Sequence, residues 1–162
     1  MIVYLGLLTA IEIILSRFFS INTWNLKIGF SFVPIVLAAM LFGPIPAGIV
    51  AALGDFLGAI LFPIGAYFPG FTLTAFITGC VFGSLLYRKP GWKRILLAVT
   101  VNQLLLSLIL NSFWISVLYG SPYLPLLYTR VFQCAILGAV QMVVITLLSQ
   151  VLSREGIRRG MV

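Results

Sequence analysis

Three charged side chains stand well inside apolar runs of this 162-residue sequence: Glu12, Asp55 and Arg130, with Arg17 near the end of its run. A charge inside a membrane-type span is costly, and by default it marks a functional site. Uncharged polar groups keep them company. Gln103, Ser107 and Asn111 recur at four-residue spacing and Trp114 follows three further on, so a helix places them on one face. Asn102 points about 100° away from Gln103 and, on a straight α-helix, about 180° from Asn111, which sets it off that face. Arg130 shares a face with Gln133, Cys134 and, three turns on, Gln141. Carboxylates, amides, a guanidinium and aromatics are groups that fix a polar aromatic molecule in a pocket. Nothing here makes or breaks bonds. There is no histidine, no nucleophile beside a base, no glycine-rich phosphate loop and no metal-ligand set, so no catalysis, cofactor or metal is expected.

The stretch GDFLGAILFPIGAYFPGFTLTAF, residues 54–76, gathers most of these features. It opens as an apolar helix carrying Asp55 and breaks at Pro63. It then crosses a loop holding Tyr67, Phe68, Pro69 and Gly70 and re-enters an apolar run. With a rise of about 1.5 Å per residue, Glu12 and Asp55 should lie roughly 10 Å below their helix ends, and Arg130 about 10–12 Å below the start of its own. Adding Arg17 and the loop residue Lys27 gives three cations against two anions at this end, a surplus that suits an anionic solute. The alternative is that Glu12 or Asp55 pairs with Arg130 or Arg17 and only fixes helix positions.

The elements that must position these groups follow from composition. The chain is 62% hydrophobic and 8% charged, against about 25% charged in ordinary soluble domains. An all-α integral membrane protein in one domain, 1–162, is expected. Its first run lacks the basic start of a cleaved leader. Six helical segments can be drawn: 2–19, 30–42, 47–62, 71–87, 95–119 and 123–152, with Gly43-Pro44-Ile45-Pro46 separating the second and third. Arg88, Lys89, Lys93 and Arg94 crowd one loop, and Arg154, Arg158 and Arg159 crowd the tail. The positive-inside rule makes that side cytoplasmic, with both termini, and turns loops 20–29, 63–70 and 119–122 outward. Small residues at four-residue spacing form ridges for close helix approach: Gly6 and Ala10, Gly48 and Ala52, and Ala75, Gly79 and Gly83. The last two sets are read as internal packing, and the first as a surface for either packing or a partner. Cys80 and Cys134 sit in apolar runs and read as inert buried thiols.

On these residues the chain resembles a known family. Its short-loop six-helix order, Gly54-Asp55-x-x-Gly58, the Pro63-x-Gly65-x-Tyr67-Phe68-Pro69-Gly70-Phe71-Thr72 loop and the Asn102…Asn111 helix look like the substrate-binding (S) subunits of energy-coupling factor vitamin transporters, of the folate-specific type. The resemblance implies a bacterial plasma-membrane protein without catalytic activity. Such a subunit captures folate from outside and docks with a transmembrane coupling subunit and two ATPase subunits, toppling in the lipid as ATP is used. It implies a first-helix Ala-x-x-x-Ala motif against the coupling subunit, here Gly6 to Ala10, and gating by loops 20–29 and 63–70. Asp55 and Asn111, backed by Asn102 and Gln103, would meet the pterin edge. Trp24, Tyr67, Phe68 and Trp114 would stack on the flat rings, and Lys27, Arg17 and Arg130 would take the glutamate carboxylates. Trp24 and Trp114 are equally readable as interfacial anchors. Sister specificities (a thiamine-precursor pyrimidine, pantothenate, riboflavin) share much of the pattern. A partner-independent carrier and a ligand-free membrane scaffold are the readings from other classes. Nucleic acid is not an expected partner.

Overall fold

The computed structural model describes residues 1–22, 27–88 and 90–154, so Trp24, Lys89, Arg158 and Arg159 lie outside the described residues. The described chain is nearly all helical: α1 (Ile2–Arg17), a two-stranded hairpin of β1 (Ser20–Asn22) and β2 (Lys27–Gly29), α2 (Phe32–Phe42), α3 (Pro44–Leu61) and α4 (Pro69–Leu86). A long rod follows, made of α5 (Trp92–Val101), a π-helical segment (Asn102–Leu110) and α6 (Asn111–Tyr119), and α7 (Tyr123–Arg154) closes the bundle. These helices follow the six apolar segments of the sequence, and the chemistry at their ends explains where they differ. Gly43 takes φ +97°, a left-handed conformation open to glycine, and turns the chain at once from α2 into α3. Pro44 and Pro46 therefore sit in the first turn of α3, where a missing amide costs nothing, and the helix starts three residues earlier than its apolar run suggests. Pro69 opens α4 in the same way. Gly120, at φ +64°, ends α6 as a left-handed cap.

Residues 20–29, read as a plain polar loop, carry an antiparallel ladder pairing Ser20 with Gly29, Ile21 with Ile28 and Asn22 with Lys27. The segment is too short and too polar for a periodicity argument to have found it.

The tightest packing is α3 against α4, and glycine is the reason. A Cβ on Gly79 would fall inside the backbone of Ala47 and Gly48, and one on Gly83 inside that of Pro44. The ridges of these two helices are thus internal. Gly6 differs: it lies exposed on α1, and a Cβ built there meets nothing within 4 Å.

The bundle is solid in one half and hollow in the other. Val36, Ala39 and Met40 of α2, Ala47 and Val50 of α3, Phe82 and Leu86 of α4, Ile95 and Ala98 of α5, and Ile145 of α7 fill the solid half. Outward, large apolar side chains are exposed along α1 and α7, among them Val3, Leu7, Tyr128 and Phe132. Among the described residues four helices, Pro44–Leu61, Pro69–Leu86, Trp92–Tyr119 and Tyr123–Arg154, are long and apolar enough to cross a membrane, and α2 is a shorter apolar helix. A helix can cross hydrocarbon because its backbone groups satisfy one another within the segment. This is a multi-pass membrane protein.

Candidate functional site

The hollow half holds a cavity of about 480 Å³, within the range of small-molecule sites. Every helical layer contributes to it. α1 supplies Glu12 and Arg17, and β2 supplies Lys27. α3 supplies Asp55, the loop before α4 supplies Tyr67 and Phe68, and α4 supplies Phe71, Thr74 and Thr78. The rod gives Asn102, Gln103, Ser107 and Asn111, and one stripe of α7 gives Arg130, Gln133, Leu137 and Gln141.

The Gly-Asp-x-x-Gly stretch has a steric explanation. Gly54 and Gly58 are the floor on which the charged residues of α1 lie. A Cβ on Gly54 would collide with the Glu12 carboxylate, and one on Gly58 would stand 2.8 Å from Arg17 Nε. Two missing side chains therefore let α1 bring an anion and a cation into the wall. Asp55 is held from the other side. Thr72 Oγ1 donates to Asp55 Oδ2 at 3.0 Å, and since a hydroxyl has one proton, Tyr67 Oη, 3.0 Å away, must donate to Thr72. Arg17 reaches Asp55 only through the backbone carbonyl, by a long 3.4 Å contact from Nη2. Arg130 Nη1 donates to Ser112 Oγ at 3.4 Å, and Nε has no partner among the described residues.

The π-helical segment corrects the expectation for Asn102. An α-helix turns about 100° per residue, which sets positions nine apart on opposite faces. The wider i→i+5 winding turns roughly 80° per residue, so nine residues make about two full turns. Asn102 and Asn111 consequently both line the cavity, and Asn102 Nδ2 reaches Gln141 Oε1 at 3.4 Å. Nothing in the residue types signals a π-helix, so a straight-helix projection misplaces Asn102.

Trp114 stands one layer behind the wall. Its Nε1 donates to Thr74 Oγ1 at 3.0 Å and its ring packs on Phe68 with centroids 5.4 Å apart. Gly70 permits this, since a Cβ there would press into Trp114 and Phe68. Gly6 and Ala10 are exposed on α1, away from the cavity wall. Glu12, Ser107, Thr74, Gln133 and Gln141 join the wall beside the named candidates. Glu12 was legible as a lone carboxylate in an apolar run, whereas Thr74 carries no such signal.

One regularity stands out. Six buried side-chain atoms among the described residues have no hydrogen-bond partner: Glu12 Oε2, Arg17 Nε, Gln103 Oε1, Asn111 Oδ1, Arg130 Nε and Gln133 Oε1. All six belong to residues of this one wall. Each such atom costs about 1–3 kcal/mol and calls for an explanation. A polar guest with small adjustments of these side chains would offset that cost. Fold and site together define a multi-pass helical bundle built around one polar-lined cavity.

The comparisons with known proteins give the family. A family model described as the substrate-specific component of ECF transporters matches residues 1–149, and the chain belongs to this family. Folate transporter FolT of Clostridium novyi is 46% identical over 104 residues, covering 64% of this chain and 60% of that protein. Folate transporter FolT of Leuconostoc mesenteroides is 35% identical over 99 residues, covering 60% of this chain and 53% of its own length. The matched part thus spans little more than half the length of these curated relatives. A crystal structure of FolT bound with folic acid superposes with a TM-score of 0.86 at 38% identity, covering 91% of this chain and 90% of that one.

Proposed function

We propose that this chain is a folate-binding S subunit, a single domain that captures its vitamin outside a bacterial plasma membrane and performs no chemistry on it. The observation that carries the reading is the convergence of six unpartnered buried polar atoms on one cavity. The relatives named as folate transporters, and the structural likeness to a folic acid-bound protein, support folate as the guest.

In this reading all six helical segments are embedded in lipid and both termini are cytoplasmic. The hairpin and residues 63–70 then face outward over the cavity mouth. Asp55 and Asn111 take the donor edge of the pterin, with Asn102 and Gln103 beside them. Tyr67 and Phe68 lie against the rings, with Trp114 bracing Phe68, and Trp24 is assigned to the same stacking set. Arg17, Lys27 and Arg130 receive the glutamate carboxylates. A net positive charge at the mouth also draws the anion inward.

Protein purified in detergent without added vitamin and titrated with folate should show a saturable change in tryptophan fluorescence. No such change with folate, together with one for riboflavin or pantothenate, would move the chain to a sister specificity.

The exposed Gly6–Ala10 ridge of α1 is assigned to the membrane coupling subunit, which carries two ATPase subunits. A tryptophan at Gly6 meets no atom of its own chain near the Cβ. Gly6→Trp should therefore keep folate affinity within about twofold and abolish ATP-driven uptake in a reconstituted transporter, because small residues are what permit close helix approach. Impaired binding in this variant would place the ridge inside the bundle.

A further inference from the structure

Gln133 makes an unusual contact. It lies on α7, is 4% exposed, and lines the cavity. Its Nε2 donates to the backbone carbonyl of Lys27, a residue 106 positions earlier on β2. A carbonyl can only accept, so this contact fixes which way the carboxamide points: nitrogen toward the hairpin, oxygen away and without a partner among the described residues. Among the described residues, β2 has no other side-chain hydrogen bond of this kind. Its ladder bonds go to β1, a three-residue strand that follows directly on α1.

Lys27 itself lines the cavity in the company of Glu12, Arg17 and Asp55. A lysine on a hairpin is a flexible point charge whose usefulness depends on where its backbone is held. Among the described residues, the hydrogen bond from Gln133 is what ties that backbone to the long α7 helix on the far side of the cavity.

We propose that Gln133 is a positioning residue for anionic ligands: by clamping the Lys27 carbonyl it holds the Lys27 ammonium over the cavity. The effect on the ligand runs through Lys27. This rests on the folate reading above and falls with it.

A double-mutant cycle tests it. Folate and a pterin lacking the glutamate are titrated into wild type, Gln133→Met, Lys27→Met and the double variant, all purified in detergent. Gln133→Met should weaken folate about tenfold, the upper end of what one neutral hydrogen bond contributes, and the pterin less than about twofold. In the Lys27→Met background the same substitution should change folate affinity less than about twofold. A merely structural role would lower both ligands' affinities alike and would be insensitive to Lys27. That result, or unchanged folate affinity in Gln133→Met, would overturn the proposal. Should Gln133→Met fail to fold, Gln133→Asn, whose amide stops one methylene short, enters the same cycle with the same expectations. Wild type that binds no folate sinks the folate reading and this inference together. Wild type that binds, with no coupling between positions 133 and 27, sinks this inference alone.

Discussion

Replacing Arg130 by alanine is expected to weaken folate binding by about 30–150-fold while leaving a glutamate-free pterin within about threefold. Arg130 is the buried cation of the wall, 4% exposed. It comes from α7, and its only hydrogen bond among the described residues is the long one to Ser112. A guanidinium with free N–H groups in such a place can take a carboxylate through two parallel bonds, which lysine cannot do. Arg130→Lys should therefore recover only part of the loss. Calorimetric titration of both ligands against the three proteins makes the check. Equal losses for folate and pterin would mean that Arg130 keeps the bundle in shape and does not receive a ligand carboxylate.

The second large effect concerns stability and holds whatever the ligand. Gly79→Leu should lower the thermal midpoint in detergent by many degrees and leave little folded protein. A Cβ at this position would already overlap the Ala47 carbonyl and the Gly48 amide, which are backbone atoms of α3 and cannot rotate aside. Over-packing of a site that can yield costs about 1–3 kcal/mol, and a site walled by backbone lies at or beyond the upper end. Because α3 carries Asp55 and α4 carries Thr72, prying these helices apart would also break the Thr72–Asp55 hydrogen bond. Gly6→Leu is the matched control and should unfold within a few degrees of wild type. A Gly79→Leu protein as stable as wild type would contradict the packing described for α3 and α4.

Much of this architecture was legible in the residues, and the reasons are physical. Apolar runs longer than a membrane half-thickness announce their helices, and charges inside them announce the wall. Glu12, Asp55 and Arg130 could be placed at one level from helix rise alone, and all three line the cavity. What escaped depends on contacts between distant segments. The floor made by Gly54 and Gly58 for Glu12 and Arg17 is a meeting of α3 with α1, and neither run contains it. Simple pairing of Glu12 or Asp55 with an arginine was a reasonable alternative. The structure instead satisfies Asp55 through Thr72 and, among the described residues, gives Glu12 Oε2 no partner. Asn102 was misdirected because the segment winds as a π-helix, and Trp114, correctly placed on its helix, turns to Thr74 and Phe68 rather than to the void.

The central claim is that these scattered polar groups form one binding site for folate, and a crystal structure of the protein grown with folate tests it most directly. The account predicts the pterin within hydrogen-bond reach of Asp55 and Asn111, with the glutamate carboxylates at Arg130 and Lys27. Folate found on the lipid-facing surface, or a cavity that stays empty at saturating vitamin, would contradict it.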